Sequence, residues 1–90
     1  MDPLDLGTIV LSRAGRDSGR LFAVVAKPEE NFRLIADGRS RRIDKPKRKK
    51  LKHLSKAGES ELLRTCAVSG GLTNSLLRKE LALFEKGKES

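Results

Sequence analysis

The strongest constraint on the fold is a pair of short apolar runs separated by a turn that contains two glycines. Residues 8–12 are apolar and β-branched, and residues 20–26 form a second apolar run of strand length. Between them, Gly15 and Gly19 stand four positions apart. Glycine is favoured where φ is positive or where another backbone approaches closely. The pattern predicts two strands joined by a tight glycine turn, the second of them covered on both faces.

Two further strands are predicted after this pair. Residues 28–31 have the composition of a turn, and residues 32–36 predict a third strand. The dipeptide Asp37-Gly38 is a strong signal for a two-residue hairpin turn. Residues 39–44 should then return as a fourth strand.

This hairpin also predicts a register. If it closes on Asp37-Gly38, Phe32 lies opposite Ile43 as a core pair, and Arg33 lies opposite Arg42. Like charges directly opposite each other destabilise a sheet. A bound polyanion would remove that cost.

The positive charge is concentrated in one segment. Residues 39–56 carry ten Lys or Arg against one Asp, whereas the whole chain has a net charge of +8. A strongly basic small domain attracts polyanions. Within this segment Pro46 argues against a central strand, and Leu51 and Leu54 can tether a short element to the sheet.

After Gly58 the pattern becomes helical. Ser60 can cap a first helix that ends at Gly70-Gly71, and its inward-facing residues are Leu62, Leu63, Cys66 and Ala67. Thr73 or Asn74 can cap a second helix, whose apolar face is Leu76, Leu77, Leu81 and Phe84.

The predicted fold is therefore mainly β with a C-terminal α part. Residues 1–58 form a small antiparallel barrel of four or five strands that includes the basic segment, and residues 59–90 form a helical extension of two short helices. The lone cysteine, Cys66, fits a reducing compartment. Residues 1–5 lack the features of a signal peptide, and no apolar run approaches the roughly 20 residues that span a bilayer. We expect a cytoplasmic protein without a membrane partner.

Residues 7–20 resemble a KOW motif, the strand–glycine turn–strand signature of ribosomal proteins and some transcription elongation factors. The similarity continues through residues 31–36 and residues 48–54. Over roughly residues 7–58 the chain resembles the large-subunit ribosomal protein of archaea and eukaryotes that carries an SH3-like KOW barrel, and its short bacterial relatives. This resemblance implies RNA binding and association with the ribosome or a ribosomal precursor.

The candidate RNA-binding residues come from the glycine turn and the basic segment. They are Arg13, Arg16, Arg20, Arg39, Arg41, Arg42, Lys45, Lys47, Arg48, Lys49, Lys50, Lys52 and His53. Cations neutralise phosphates and release counterions, and arginine grips phosphate in a bidentate manner. Gly15, Gly19, Asp37 and Gly38 are predicted structural turn residues, and Asp17 is a turn residue rather than a ligand. The alternatives for such a basic run are a solvated linker and a membrane-surface or localisation signal, but the barrel context favours RNA contact. His53 can contact RNA or fill a packing role.

The aromatic content predicts the mode of binding. The chain has no Trp or Tyr, and Phe22, Phe32 and Phe84 all stand at apolar positions, so we expect them in the core. Single-strand binders stack bases on exposed aromatic rings. Without such rings, recognition of the backbone and shape of folded RNA is expected.

The sequence does not predict an enzyme. It contains no triad candidate, no phosphate-binding loop of the nucleotide type and no carboxylate pair in an apolar setting. One His and one Cys do not supply a zinc site, and neither a cofactor nor a small-molecule substrate is expected. Two alternatives to RNA binding are a protein–protein interaction module of the translation or transcription machinery and a nonspecific DNA-binding protein.

Overall fold

The computed structural model describes residues 4–88, so the first three residues of the N-terminal segment lie outside it. Five strands and two α-helices follow one another along this part of the chain. The strands are β1 (Thr8–Ser12), β2 (Leu21–Glu29), β3 (Phe32–Ala36), β4 (Lys47–Lys50) and β5 (Leu54–Glu59). The helices are α1 (Glu61–Ser69) and α2 (Asn74–Lys88), and a single 3-10 turn, Leu51–His53, connects β4 to β5. The predicted class, antiparallel strands followed by two helices, is confirmed.

The strands form one antiparallel sheet in the order β4-β3-β2-β1-β5, with β4 and β5 at its edges. The register shifts once where β1 pairs with β5, between Ile9 and Val10, and twice where β2 pairs with β3. Such irregularities bend a strand and increase its twist. The extra residue lies in β5 at the first shift and in β2 at the other two, so β5 and β2 are the strands that bend.

β2 is longer than predicted. It extends past Ala26 to Glu29, and the turn into β3 is formed by Glu30 and Asn31. Pro28 is tolerated within this strand because β1 pairs with β2 through residues 21–23, and the register against β3 shifts between Ala26 and Glu29.

The predicted hairpin at Asp37-Gly38 is wrong, as is the predicted fourth strand over residues 39–44. Residues 37–46, which we call the Asp37 loop, contain no strand. The strand that returns along β3 is β4, with Phe32 opposite Lys50 and Arg33 opposite Lys49. The predicted pairs with Ile43 and Arg42 do not form, because the chain makes a wide loop before it re-enters the sheet.

Alternation of side chains along the strands gives the sheet an apolar cluster on each face. The first cluster consists of Leu4, Val10, Phe22, Val24, Ile35 and Leu54, with Leu51 packed against it. The second joins Ala23 and Ala36 of the sheet to Leu63 of α1 and Leu77 of α2. β2 is thus covered on both faces, as predicted. Full burial of a leucine is worth about 1.5–3 kcal/mol, so Leu63 and Leu77 anchor the helices to the sheet.

The predicted helix starts are confirmed. The Leu63 amide donates to Ser60 Oγ over 3.2 Å at the start of α1, and the Leu76 amide donates to Thr73 Oγ1 over 3.1 Å at the start of α2. α1 ends where Gly70 adopts a left-handed conformation. Leu62 was predicted to face inward but is 49% exposed.

Candidate nucleic-acid interface

Residues 13–20 form the glycine turn between β1 and β2. Gly15 and Gly19 have φ values of 78° and 85°, in the left-handed region that favours glycine. The turn is closed by its own backbone: the Gly19 amide donates to the Ser12 carbonyl over 2.8 Å, and the Arg20 amide donates to the Asp17 carbonyl over 3.1 Å. Both glycines thus take the positive φ for which this residue is favoured.

The glycine turn is bonded to the end of the basic segment. Lys49 Nζ donates to the Ala14 carbonyl over 2.8 Å. The Arg13 amide donates to the His53 carbonyl over 2.9 Å, and Arg13 Nη1 donates to Ser55 Oγ over 3.1 Å. These bonds join residues that are about forty positions apart in the sequence. They bring the turn against β4, the 3-10 turn and the start of β5.

Two ion pairs bond the glycine turn to the Asp37 loop. Arg41 donates to Asp17 Oδ2 from both Nε and Nη2, over 3.3 and 3.1 Å. Arg20 Nη2 lies 3.6 Å from Asp37 Oδ2. Asp17 is 5% exposed, so its carboxylate is largely screened from water and held by the guanidinium. Arg41 was predicted to contact RNA, but its guanidinium is bound within the protein.

The carboxylate of Asp37 organises the loop that was predicted to be a hairpin. Its Oδ1 accepts from the backbone amides of Arg39 and Arg41, each over 2.9 Å, and its Oδ2 accepts from Ser40 Oγ over 3.1 Å. The Asp37 amide in turn donates to the Arg41 carbonyl over 2.9 Å. These local bonds compete with a strand ladder, as short polar side chains in turns generally do.

Helix α2 holds the Asp37 loop from the other side. Asn74 Oδ1 accepts from the Ile43 amide over 2.7 Å, and Arg78 Nη1 donates to the Gly38 carbonyl over 2.7 Å. Ile43 packs against the cluster under the helices. Asn74 and Arg78 could not be predicted as positioning residues, since nothing near either residue in the sequence indicates a partner more than thirty positions away.

Strand β4 divides the basic run between two faces. Arg48 and Lys50 are exposed, whereas Lys47 and Lys49 are half-buried. Alternate residues of a strand point to opposite sides, so four consecutive cations do not act as one patch. Of the two half-buried residues, Lys49 is the one that bonds to the glycine turn.

Phe32 is not a core residue, contrary to prediction. Its side chain is half-buried, and the Arg48 guanidinium carbon lies 3.6 Å from the centre of its ring. Arg48 also forms an ion pair with Glu29. Arg48 is therefore engaged in a cation–π contact and an ion pair, while an aromatic ring reaches the surface beside the basic strand.

Arg33 is buried, at 3% exposure, and does not face Arg42. Its Nε donates to the Leu4 carbonyl over 2.7 Å, and its Nη1 donates to the carbonyls of Glu29, Glu30 and Phe32 over 2.7–3.2 Å. Main-chain carbonyls thus satisfy this charge inside the fold. The one feature of the sequence that could have indicated the burial of Arg33 is its position between apolar strand residues.

Several predicted cations remain accessible. Arg16, Arg39, Lys45, Lys50 and Lys52 are exposed and have no ion-pair partner among residues 4–88. Arg42 is exposed and lies 3.9 Å from Asp44, which is a weak pair in water. His53 is half-buried, and its carbonyl holds the glycine turn. We call the exposed cations on the glycine turn, the Asp37 loop and residues 45–52 the basic surface.

Among residues 4–88, the two carboxyl groups with displaced pKa values lie outside the basic surface. A hydrogen bond from Lys27 lowers the pKa of Asp5, and a hydrogen bond from Lys56 lowers the pKa of Glu59. Both are carboxylates stabilised by a neighbouring ammonium group, which is the pattern of surface ion pairs rather than of acid–base catalysis.

Within residues 4–88, no three His, Cys, Asp or Glu side chains are grouped so that they could hold a metal ion. The described helices are also too short or too polar to cross a membrane. Comparison of the chain with protein-family models and with curated proteins finds no match. The resemblance to KOW-domain proteins therefore stays a prediction.

Proposed function

We propose that this chain is a non-catalytic RNA-binding protein of the KOW type, which grips folded RNA through phosphate contacts. Ribosomal RNA of the large subunit, in the ribosome or a precursor, is the expected target. One observation carries the proposal: the glycine turn is bonded on one side to Lys49 and His53 and on the other to Arg41. Three separate basic stretches of the sequence thereby form one surface.

The charge of this surface suits a polyanion. Of its exposed cations, Arg16, Arg39, Lys45, Lys50 and Lys52 have no carboxylate partner in the described part of the chain. Arg20, Arg42 and Arg48 each have one. Each phosphate that a cation neutralises releases counterions, so affinity falls steeply with salt. The tethers through Lys49 and Arg41 fix the backbone that carries the cations, which lowers the entropy lost on binding.

The fold that we propose in finer detail is an SH3-like barrel. Supporting it, β1 lies between β2 and β5, and one 3-10 turn separates β4 from β5. The extra residues in β5 and β2 supply curvature that a barrel requires.

A basic edge strand also has a purely structural explanation, since lysines on an edge strand discourage pairing with other chains. This explanation accounts for the charges of β4. It gives no reason for the bonds that hold the glycine turn against β4 and β5, nor for Arg16 and Arg39, which lie outside the sheet.

The test is RNA binding across a salt series, with a variant that removes one cation from each side of the basic surface. Arg16→Ala with Lys52→Ala should make the slope of log affinity against log salt shallower by about two, because each lost phosphate contact removes about one unit. The matched control is Lys79→Ala with Lys86→Ala, which removes two exposed charges from α2. Binding is measured by fluorescence anisotropy with a folded fragment of large-subunit ribosomal RNA.

The control separates a specific surface from the effect of total charge. An equal decrease of the salt slope in both double variants would assign the binding to net charge and not to the basic surface. A wild-type affinity that does not change with salt would favour the protein–protein module, and a preference for duplex DNA over folded RNA would favour the DNA-binding alternative. Co-sedimentation with ribosomal particles across the same salt series then tests the proposed target.

A further inference from the structure

An open groove of about 600 Å³ lies beside Phe32 at the edge of the sheet. Its lining residues are Asn31, Phe32, Lys50, Leu51 and Lys52. They converge because Phe32 at the start of β3 pairs with Lys50 at the end of β4, and the Leu51 amide donates to the Asn31 carbonyl over 2.8 Å. The groove thus has a floor that the sheet and the following turn hold in place.

Phe32 is held in position from one side. The Arg48 guanidinium covers a face of its ring at 3.6 Å and is itself anchored by Glu29. Phe32 lines the groove, whereas Arg48 is not among its lining residues. A ring fixed in this way loses little conformational entropy when a flat ligand stacks on it.

The chemistry of the groove matches one unpaired nucleotide. Phe32 and Leu51 offer apolar surface for the faces of a base. Lys50 and Lys52 are exposed at its rim and have no ion-pair partner in residues 4–88, so they can meet the adjoining phosphates. The side-chain amide of Asn31 can both donate to and accept from a base edge. An apolar peptide side chain would leave the two cations unused.

We infer that this groove, which we call the Phe32 groove, binds a single unpaired base of the RNA. The inference rests on the proposed RNA-binding function and deepens it: the basic surface holds the phosphates of folded RNA, and the Phe32 groove selects RNA that presents a bulged or looped-out nucleotide. The sequence predicted recognition of RNA by its backbone and shape alone, because all three phenylalanines were expected in the core. Stacking of a base on Phe32 goes beyond that prediction.

The test compares three RNA hairpins: one fully paired, one with a single bulged adenosine, and one with an abasic site in place of that adenosine. The wild-type chain should bind the bulged hairpin about tenfold more tightly than the other two, within the range known for stacking on an aromatic side chain. Phe32→Leu keeps an apolar side chain but removes the ring. It should abolish this preference and leave the affinity for the paired hairpin and its salt slope unchanged.

Phe84→Leu is the matched control, since Phe84 is a half-buried aromatic residue on α2, outside the Phe32 groove. It should keep the tenfold preference. Equal wild-type affinity for all three hairpins, or a preference that survives in Phe32→Leu, would overturn the groove assignment while leaving the RNA-binding proposal intact. Absence of salt-dependent binding to any hairpin would instead overturn the proposed function.

Discussion

The glycine turn and the Asp37 loop are both connections between neighbouring strands, and each contains a buried aspartate that faces an arginine. Both are bonded to distant residues, but they differ in how the path of the backbone is fixed. The glycine turn closes through backbone bonds between Ser12 and Arg20, within its own stretch of sequence. The Asp37 loop depends in addition on Asn74 and Arg78 of α2. A local pattern therefore predicts the first connection well and the second one badly.

The two connections also use glycine for different reasons. Gly19 and Gly38 have almost the same φ, 85° and 81°. A Cβ atom on Gly19 would meet nothing within 4 Å, whereas one on Gly38 would lie 2.3 Å from the Asn74 carbonyl oxygen. The backbone angle constrains both positions, but close packing of the helix constrains only Gly38 of this pair.

The largest expected effect is a loss of stability on replacing these glycines, and it separates the constraint of the backbone angle from that of close packing. Gly19→Ala should lower the free energy of unfolding by about 1–2 kcal/mol, the cost of a left-handed conformation. Gly38→Ala should lower it by a further 1–3 kcal/mol or so, because the backbone of α2 must shift. Urea denaturation of both variants measures the difference. Equal losses would show that α2 does not pack against the loop as described.

A smaller effect tests whether α2 holds the Asp37 loop. Asn74→Ala leaves the Ile43 amide without its acceptor, which should cost about 1–3 kcal/mol. Hydrogen exchange at the Ile43 amide should accelerate, while exchange at the Gly19 amide, which bonds within the glycine turn, should not change. Ser75→Ala, at an exposed neighbouring position, is the control and should leave both rates as they are. Unchanged protection of Ile43 in Asn74→Ala would contradict the tether.

The smallest expected effect on stability comes from a surface ion pair outside both connections. It is the reference against which the effects at the two connections can be compared. Lys27 Nζ lies 2.7 Å from Asp5 Oδ1 and lowers the pKa of that carboxyl below its ordinary value of 3.8. The contribution to stability is therefore present above about pH 4 and is lost as the pH falls through the lowered pKa. Lys27→Ala should raise the pKa of Asp5 towards 3.8 in an NMR titration and leave stability at neutral pH almost unchanged. A pKa that stays lowered would assign the shift to the Leu6 amide, which also donates to this carboxylate, and to Arg64, whose Nη2 lies 3.6 Å from Asp5 Oδ2.

Much of the candidate site could be predicted from the sequence, but the state of each side chain could not. The glycine turn and the basic segment were both recognised, yet Arg41 and Lys49 are bound inside the protein and Arg48 is engaged by Glu29 and Phe32. Charge type is a property of the residue, whereas the partner of that charge depends on which strands are neighbours. For the same reason the surface position of Phe32 could not be predicted, because an apolar residue fits a core position and a surface ring equally well.

The sequence by itself determined the glycine turn, the three strands that precede the Asp37 loop and the caps of both helices, because these features depend on bonds and periodicities that span only a few residues. The tertiary structure decided the path of residues 37–46, the division of the basic run between two faces of β4, and the groove beside Phe32. Each of these depends on contacts between residues distant in the sequence. The physical reason is that a short polar segment such as Asp37-Gly38 can satisfy its backbone as a hairpin or as a loop, and the contacts with Asn74 and Arg78 select the loop.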